Sequence, residues 1–252
     1  SLGLVGSEMC IRDSVYMTQQ FWNKEYKTAE HLMLSEEPAQ DLLSFVRWAK
    51  RNAEWEPFPE GGFVLDIGCG NGRNIGNTCE EFKMGGLGID ISEEAVRQAH
   101  EKFVTKLKLP NLTFQKGEIG DPIPLENESV DIALDMMTMH FLDDSKRAAY
   151  VKEVARVVKP FGWMFLKTFI LDQDQNAKRM IREYPTPSKE LNSYIHPRMK
   201  VLEHVFTQDE IEELFAPYFI VHKMIRSYKH VHKDGKPHKR RTISVYLERK
   251  RD

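Results

Sequence analysis

Three cysteines among 252 residues, Cys10, Cys69 and Cys79, are too few and too unevenly spaced for a disulfide framework or a zinc site. That usage points to a reducing, cytoplasmic setting with no bound metal. No apolar run approaches the roughly 20 residues a membrane helix requires, and a mean hydropathy of −0.50 agrees with its absence. A formal charge of −2 supplies no global attraction to nucleic acid or to an anionic membrane. There is no internal repeat and no low-complexity tract. The opening stretch, Ser1 to Ser14, lacks the basic start and unbroken apolar segment of a signal peptide. It resembles translated sequencing adaptor, so residues 1–16 are expected to be a non-native or disordered leader with Met17 as the natural start. Residues 17–252 then suit a single α/β domain.

What is present is a regular alternation of strand and helix signals. From Phe21 to Asn52 the pattern is helical, with Leu42, Leu43, Phe45, Val46 and Ala49 at helical spacing and Ser35 as the expected N-cap. A proline- and glycine-bearing loop, Glu56 to Gly62, leads into the apolar run Phe63–Ile67, a buried strand. Further strands are expected over Gly86–Ile91, Leu112–Lys116, Ser129–Met136 and Trp163–Phe169. Helices are expected over Ser92–Leu107, with Ser92 as N-cap, and over Asp144–Lys159, stopping before Pro160. This alternation predicts a doubly wound, mostly parallel sheet covered by helices on both faces. A capping box at Thr207–Glu210 opens a late helix. Two β-rich runs, Phe219–Tyr228 and Arg241–Leu247, follow it and predict an antiparallel pair around Asp234 and Gly235. Between strand 5 and the capping box lie residues 170–206, too long for an ordinary connection and read as a substrate-side insertion or lid.

The chemical signal is concentrated in Val64–Asn74, VLDIGCGNGRN. Gly68, Gly70 and Gly72 follow the buried strand at once, where bare backbone can turn sharply and approach a ligand. Their spacing is G-x-G-x-G, and Arg73 stands where a dinucleotide-binding turn places a further glycine, which weighs against a nicotinamide-dependent oxidoreductase. Asp66, inside an apolar run, needs hydrogen bonds to offset its burial. It is read as holding the glycine loop's amides or a water nearby. Asp90, at the carboxyl end of strand 2, is placed to accept both hydroxyls of a ribose.

The run Asp66-Ile67-Gly68-Cys69-Gly70-Asn71-Gly72 resembles motif I of class I S-adenosylmethionine-dependent methyltransferases, and Gly88-Ile89-Asp90-Ile91-Ser92 resembles motif II. The likeness continues through Lys116–Met136 and Glu153–Leu166. It implies a seven-stranded Rossmann-like sheet whose last strand is antiparallel. It also implies S-adenosyl-L-methionine as cofactor and S-adenosyl-L-homocysteine as product. By this resemblance the cofactor lies against Asp66, Gly68, Cys69, Gly70, Asn71, Gly72, Asp90 and Ile91. Glu118 then takes the adenine amino group, Ile119 supplies the adjoining amide and an apolar wall, and Asp135 and Met136 line the transferred methyl.

For the acceptor side, His140 after strand 4 is the candidate general base, with a packed helix-end residue as the alternative. Tyr184, Tyr194, His196 and His204 are candidate acceptor contacts, or packing for a lid. Trp22 and Tyr26 in FWNKEY are candidates for closing the cofactor cleft. From Pro217 onward eleven Lys and Arg face three acids, a local excess of +8, which fits RNA, an acidic partner, or a solvated hairpin and edge strand. The proline-rich signature of base amino methylation is missing after strand 4, where Asp135-Met136-Met137-Thr138 stands. The expectation is therefore methyl transfer to an O, N or other nucleophile of a small molecule, with RNA or protein acceptors as variants. A nucleoside-binding protein without turnover is the reading from another class.

Overall fold

Phe63–Ile67 forms β1, and its four buried residues sit between two parallel neighbours. The computed structural model describes residues 18–30, 34–227, 231–233, 236–238 and 241–251, so the expected leader and Met17 lie outside the described residues. In chain order the elements are α1 (18–27), α2 (Gln40–Asn52), β1, α3 (Arg73–Phe82), β2 (Gly85–Asp90) and α4 (Glu93–Ala99). There follow β3 (Leu112–Lys116), β4 (Val130–Met136), α5 (Asp144–Val157), β5 (Val158–Phe169), α6 (Gln175–Glu183), β6 (Ser193–Ile195) and β7 (Leu202–His204). The chain then adds α7 (Gln208–Phe215), β8 (Phe219–Ser227), β9 (Val231–Lys233), β10 (Lys236–His238) and β11 (Thr242–Arg249).

Seven strands make one sheet in the order β3-β2-β1-β4-β5-β11-β8. β1 to β5 are mutually parallel, and β11, the last of the described strands, runs antiparallel to both β5 and β8. Alternate residues of each strand enter different cores. Val64, Ile132, Leu134 and Phe165 pack with α2 and α3, while Leu65, Ala133, Met164 and Leu166 pack with α5 and α7. Phe45 of α2 stacks on Phe165 with centroids 5.2 Å apart, which fixes α2 on its face.

Several local expectations change. The helical pattern read from Phe21 to Asn52 is two helices, and the N-cap position of α2 is Ala39, whose N–H is taken by Asn74 Oδ1 at 3.0 Å. Ser35 instead closes a local turn through Glu37 N–H. α4 begins as expected, with Ser92 Oγ accepting Ala95 N–H, but its continuation over His100–Lys106 is π-helical. α5 stops at Val157, because β5 starts at Val158 and carries Pro160 and Phe161 through an irregular register opposite Val130–Ile132. Phe161 takes a left-handed conformation there, with φ 65°. The capping box at Thr207 forms as read. β8 and β11 pair antiparallel, with the β9–β10 hairpin between them, while Tyr228, Asp234 and Gly235 lie outside the described residues.

Register sets the site. Ile67 pairs with Ile89 and with Asp135, and Met136 pairs with Lys167, so the carboxyl ends of β1, β2, β4 and β5 finish side by side. The strand order reverses between β1 and β4, which is where open α/β sheets leave a crevice.

Candidate functional site

At the end of β1 the backbone reverses through Gly68 and Gly70, with φ of 73° and 56°. The N–H groups of Gly68 and Cys69 donate to Ile89 O at 2.7 and 3.0 Å, tying the turn to β2. The left-handed conformation disfavours any side chain there, and a Cβ on Gly68 would also fall 2.0 Å from Thr138 Oγ1. Asp90 completes the turn: one carboxylate oxygen accepts Gly70 N–H at 2.8 Å and the other accepts Ser92 N–H at 2.8 Å. Burial raises its pKa, while those two donors favour the charged form.

These residues border a cavity of about 820 Å³ above the strand ends. Gly68, Cys69, Gly70 and Asn71 form one wall, and Asp90, Ile91, Glu118 and Ile119 continue it around β2 and β3. Burial raises the Glu118 carboxyl, and the nearby Lys146 charge opposes that shift. Met136 lines the cavity from the end of β4. Trp22 and Tyr26 close it from α1, whose Asn23 Oδ1 accepts both Ser92 Oγ–H and Glu94 N–H at the start of α4.

Other sequence candidates stand behind the wall. Gly72 is the N-cap position of α3, where a Cβ would press on Ala99 and Phe114 at 2.9 Å; it serves helix packing. Asp66 does not hold the glycine loop. Its Ile75 backbone hydrogen bond comes from α3, and its Oδ2 is buried without a hydrogen-bond partner. Burial first, then the charges of Asp135 and Asp90, push its pKa up to about 8. Asp135 is fully buried, accepting Thr138 N–H, Met139 N–H and Tyr150 O–H, and thus shapes the turn after β4. Burial pushes its pKa up to about 6. His140 is also off the wall, 1 % exposed and packed between Phe141 and Phe169 with ring centroids 4.1 and 4.8 Å away.

Within residues 170–206, the residues on the cavity wall differ from those expected. Ile195, Lys200, Val201 and Leu202 of the β6–β7 hairpin line the cavity. Tyr184 is exposed, and Tyr194 is buried with its hydroxyl on Glu203. His196 Nδ1 accepts Met199 N–H at 3.1 Å inside the hairpin turn. His204 Nδ1 meets Ser193 Oγ and its Nε2 meets Glu210 Oε1, both at 2.7 Å. Ser193 also donates to Glu190, which pairs with buried Arg147 of α5 at 2.7 Å, so this network anchors the hairpin to the domain. The sequence reading also missed Arg73, Lys146, Lys167 and Phe141 on the cavity wall. Arg73 alone had a local signal, standing directly after the glycine turn.

Residues 64–162 match the family model described as a methyltransferase domain. A tRNA (carboxymethyluridine(34)-5-O)-methyltransferase of Arabidopsis thaliana is 26% identical over 168 residues, covering 62% of this chain and 37% of that protein. A 2-methyl-6-phytyl-1,4-hydroquinone methyltransferase of Synechocystis is 27% identical over 205 residues, covering 76% of this chain and 62% of that protein. This chain thus spans less than two thirds of the length of either relative. Among solved structures, a SAM-dependent methyltransferase of Methanosarcina mazei superposes with a TM-score of 0.64 at 21% identity, covering 77% of this chain and 96% of that one.

Proposed function

The chain belongs to the class I S-adenosylmethionine-dependent methyltransferase superfamily, and from that premise we propose that it transfers the methyl group of S-adenosyl-L-methionine to a small-molecule acceptor. The carrying observation is that the bare backbone of Gly68–Asn71 and the Asp90 carboxylate face one cavity. The residues present fit the cofactor. Asp90 would hold the ribose diol, Glu118 and Ile119 the adenine, and the Gly68–Asn71 backbone with Arg73 the amino-acid moiety. The sulfonium supplies an already electrophilic methyl, so the protein's task is to align the acceptor and exclude water.

A small acceptor is favoured by size: α1 and the β6–β7 hairpin border a cavity of about 820 Å³, within the roughly 300–1,000 Å³ range of small-ligand sites, which cofactor and acceptor would share. The RNA variant draws on the basic C-terminal stretch, but much of its described charge is engaged within the fold. Arg226 pairs with Asp172, Arg241 donates to Gln173, and Arg249 to Ala155 O. Lys229, Lys239 and Arg240 lie outside the described residues. Among the described residues no helix is long and apolar enough to cross a membrane.

Calorimetry with S-adenosylhomocysteine and with NADH tests the proposal. Binding of the homocysteine nucleoside and none of NADH is expected; the reverse result would replace this reading with an oxidoreductase. Methyl-labelled cofactor added to cell extract should label the small-molecule fraction, and label confined to RNA or protein would overturn the choice of acceptor.

A further inference from the structure

The cavity wall carries charges of both signs, with Arg73 directly after the glycine turn and Lys146 near Glu118. The carboxylates are Asp90, Glu118 and Asp143. Asp90 is committed to the Gly70 and Ser92 amides, and Asp143 caps α5 through Lys146 N–H while accepting Ser145 O–H. Glu118 stands beyond β3 with the Lys146 charge near it. The same wall includes Lys167 of β5 and Lys200 of the β6–β7 hairpin, together with the apolar residues Trp22, Phe141, Ile195 and Leu202. The bridge between Ile170 and Phe206 holds the base of that hairpin at the end of β5, next to Lys167. Lys167 shares its charge with Asp41, and Lys200 has no ion pair among the described residues. His140, the one residue read as a base, is packed behind this wall.

An acceptor that reaches this lining meets Lys200 and an apolar surface, while the wall carboxylates Asp90 and Asp143 are already engaged by hydrogen bonds and Glu118 lies near Lys146. A hydroxyl acceptor would need a free general base, and an ammonium acceptor would face the like charge of Lys200. Building on the methyltransferase reading, we infer that the acceptor is a carboxylic acid with an apolar body, its carboxylate steered by Lys200 and Lys167 and itself methylated. A carboxylate is already ionised near neutral pH, its usual pKa being about 4. One carboxylate oxygen forms the new carbon–oxygen bond as the methyl carbon–sulfur bond breaks. The bonding pair stays on sulfur, one negative and one positive charge cancel, and a neutral ester and thioether result without proton transfer.

The full chain saturated with S-adenosylhomocysteine is titrated with phenylacetate and octanoate, and with phenylacetamide as the neutral control. The acids should bind at least tenfold more tightly than the amide. Lys200→Met should remove most of that preference and Lys200→Arg should keep it. With methyl-labelled cofactor and a small-molecule cell extract, mild alkali should release the label as methanol. Acids that bind no better than the amide, a Lys200→Met variant within twofold of the parent, or alkali-stable label would each overturn the inference. Failure of S-adenosylhomocysteine itself to bind would instead remove the underlying methyltransferase reading.

Discussion

Asp66 on β1 and Asp135 on β4 stand one register step apart on neighbouring parallel strands, and both carboxyl groups are fully buried. Their pKa values rise to about 8 and about 6, chiefly through burial, with the Asp135 charge adding to the rise at Asp66. A carboxyl raised in the folded state keeps its proton where the unfolded chain has lost it, so its contribution to stability falls as pH rises through that window. Urea unfolding should show stability declining between about pH 4 and pH 8, at up to about 1.4 kcal/mol per unit for each such group. Asp66→Asn should flatten the upper part of the curve. An unchanged slope in that variant would contradict the assignment.

Cofactor affinity should follow the opposite trend. The positive charges of the cofactor, acting through the wall on the buried Asp66, would favour its ionised form, so binding of S-adenosylmethionine should tighten as pH rises through about 8. Calorimetry across that range, repeated with Asp66→Asn, would test this; a flat profile in the parent protein would refute it.

Asp90→Ala removes both the expected ribose contact and the acceptor for two backbone N–H groups. It should cost about 1.5–3 kcal/mol of S-adenosylhomocysteine affinity, the scale of hydrogen bonds to a charged group. Affinity within twofold of the parent in a folded variant would argue against ribose binding.

At Gly68, alanine would have to adopt φ 73° and crowd Thr138. The left-handed conformation alone costs roughly 1–2 kcal/mol, so Gly68→Ala paired with Thr138→Ala should recover part of the lost affinity but not all of it. Full recovery in a binding assay would show the steric contact to be the whole effect.

Arg147 is buried with its guanidinium on Glu190. Replacing it with Met strands a carboxylate and should destabilise the fold by about 3–5 kcal/mol. Because Glu190 also anchors Ser193, protease sensitivity in residues 190–204 should rise first. Limited proteolysis that cuts elsewhere first would count against that coupling.

The parallel sheet and the glycine turn were legible because both rest on short-range rules. An apolar run bounded by turn residues makes a buried strand, and bare backbone makes a tight reversal. Asp90 was legible for the same reason, since the end of a strand fixes where a carboxylate can point. The start of β5 was not, because Pro160 reads as a stop while the β4 register accommodates it as an irregularity. Nor were Lys167, Lys200 and Leu202: they line one cavity only because of how the hairpin packs, a long-range event without a local pattern. Tyr194, His196 and His204 drew attention by chemical type, and the structure uses their polar atoms to hold the hairpin together.

β11 occupies an interior place in the sheet although it follows every other described strand in chain order. During synthesis, β5 and β8 must both wait with an unpaired edge until residues 242–249 have emerged, since neither finds its neighbour without that strand. A chain halted a few residues early would expose two adhesive borders at once, so premature stops should yield aggregates and not a weakened enzyme.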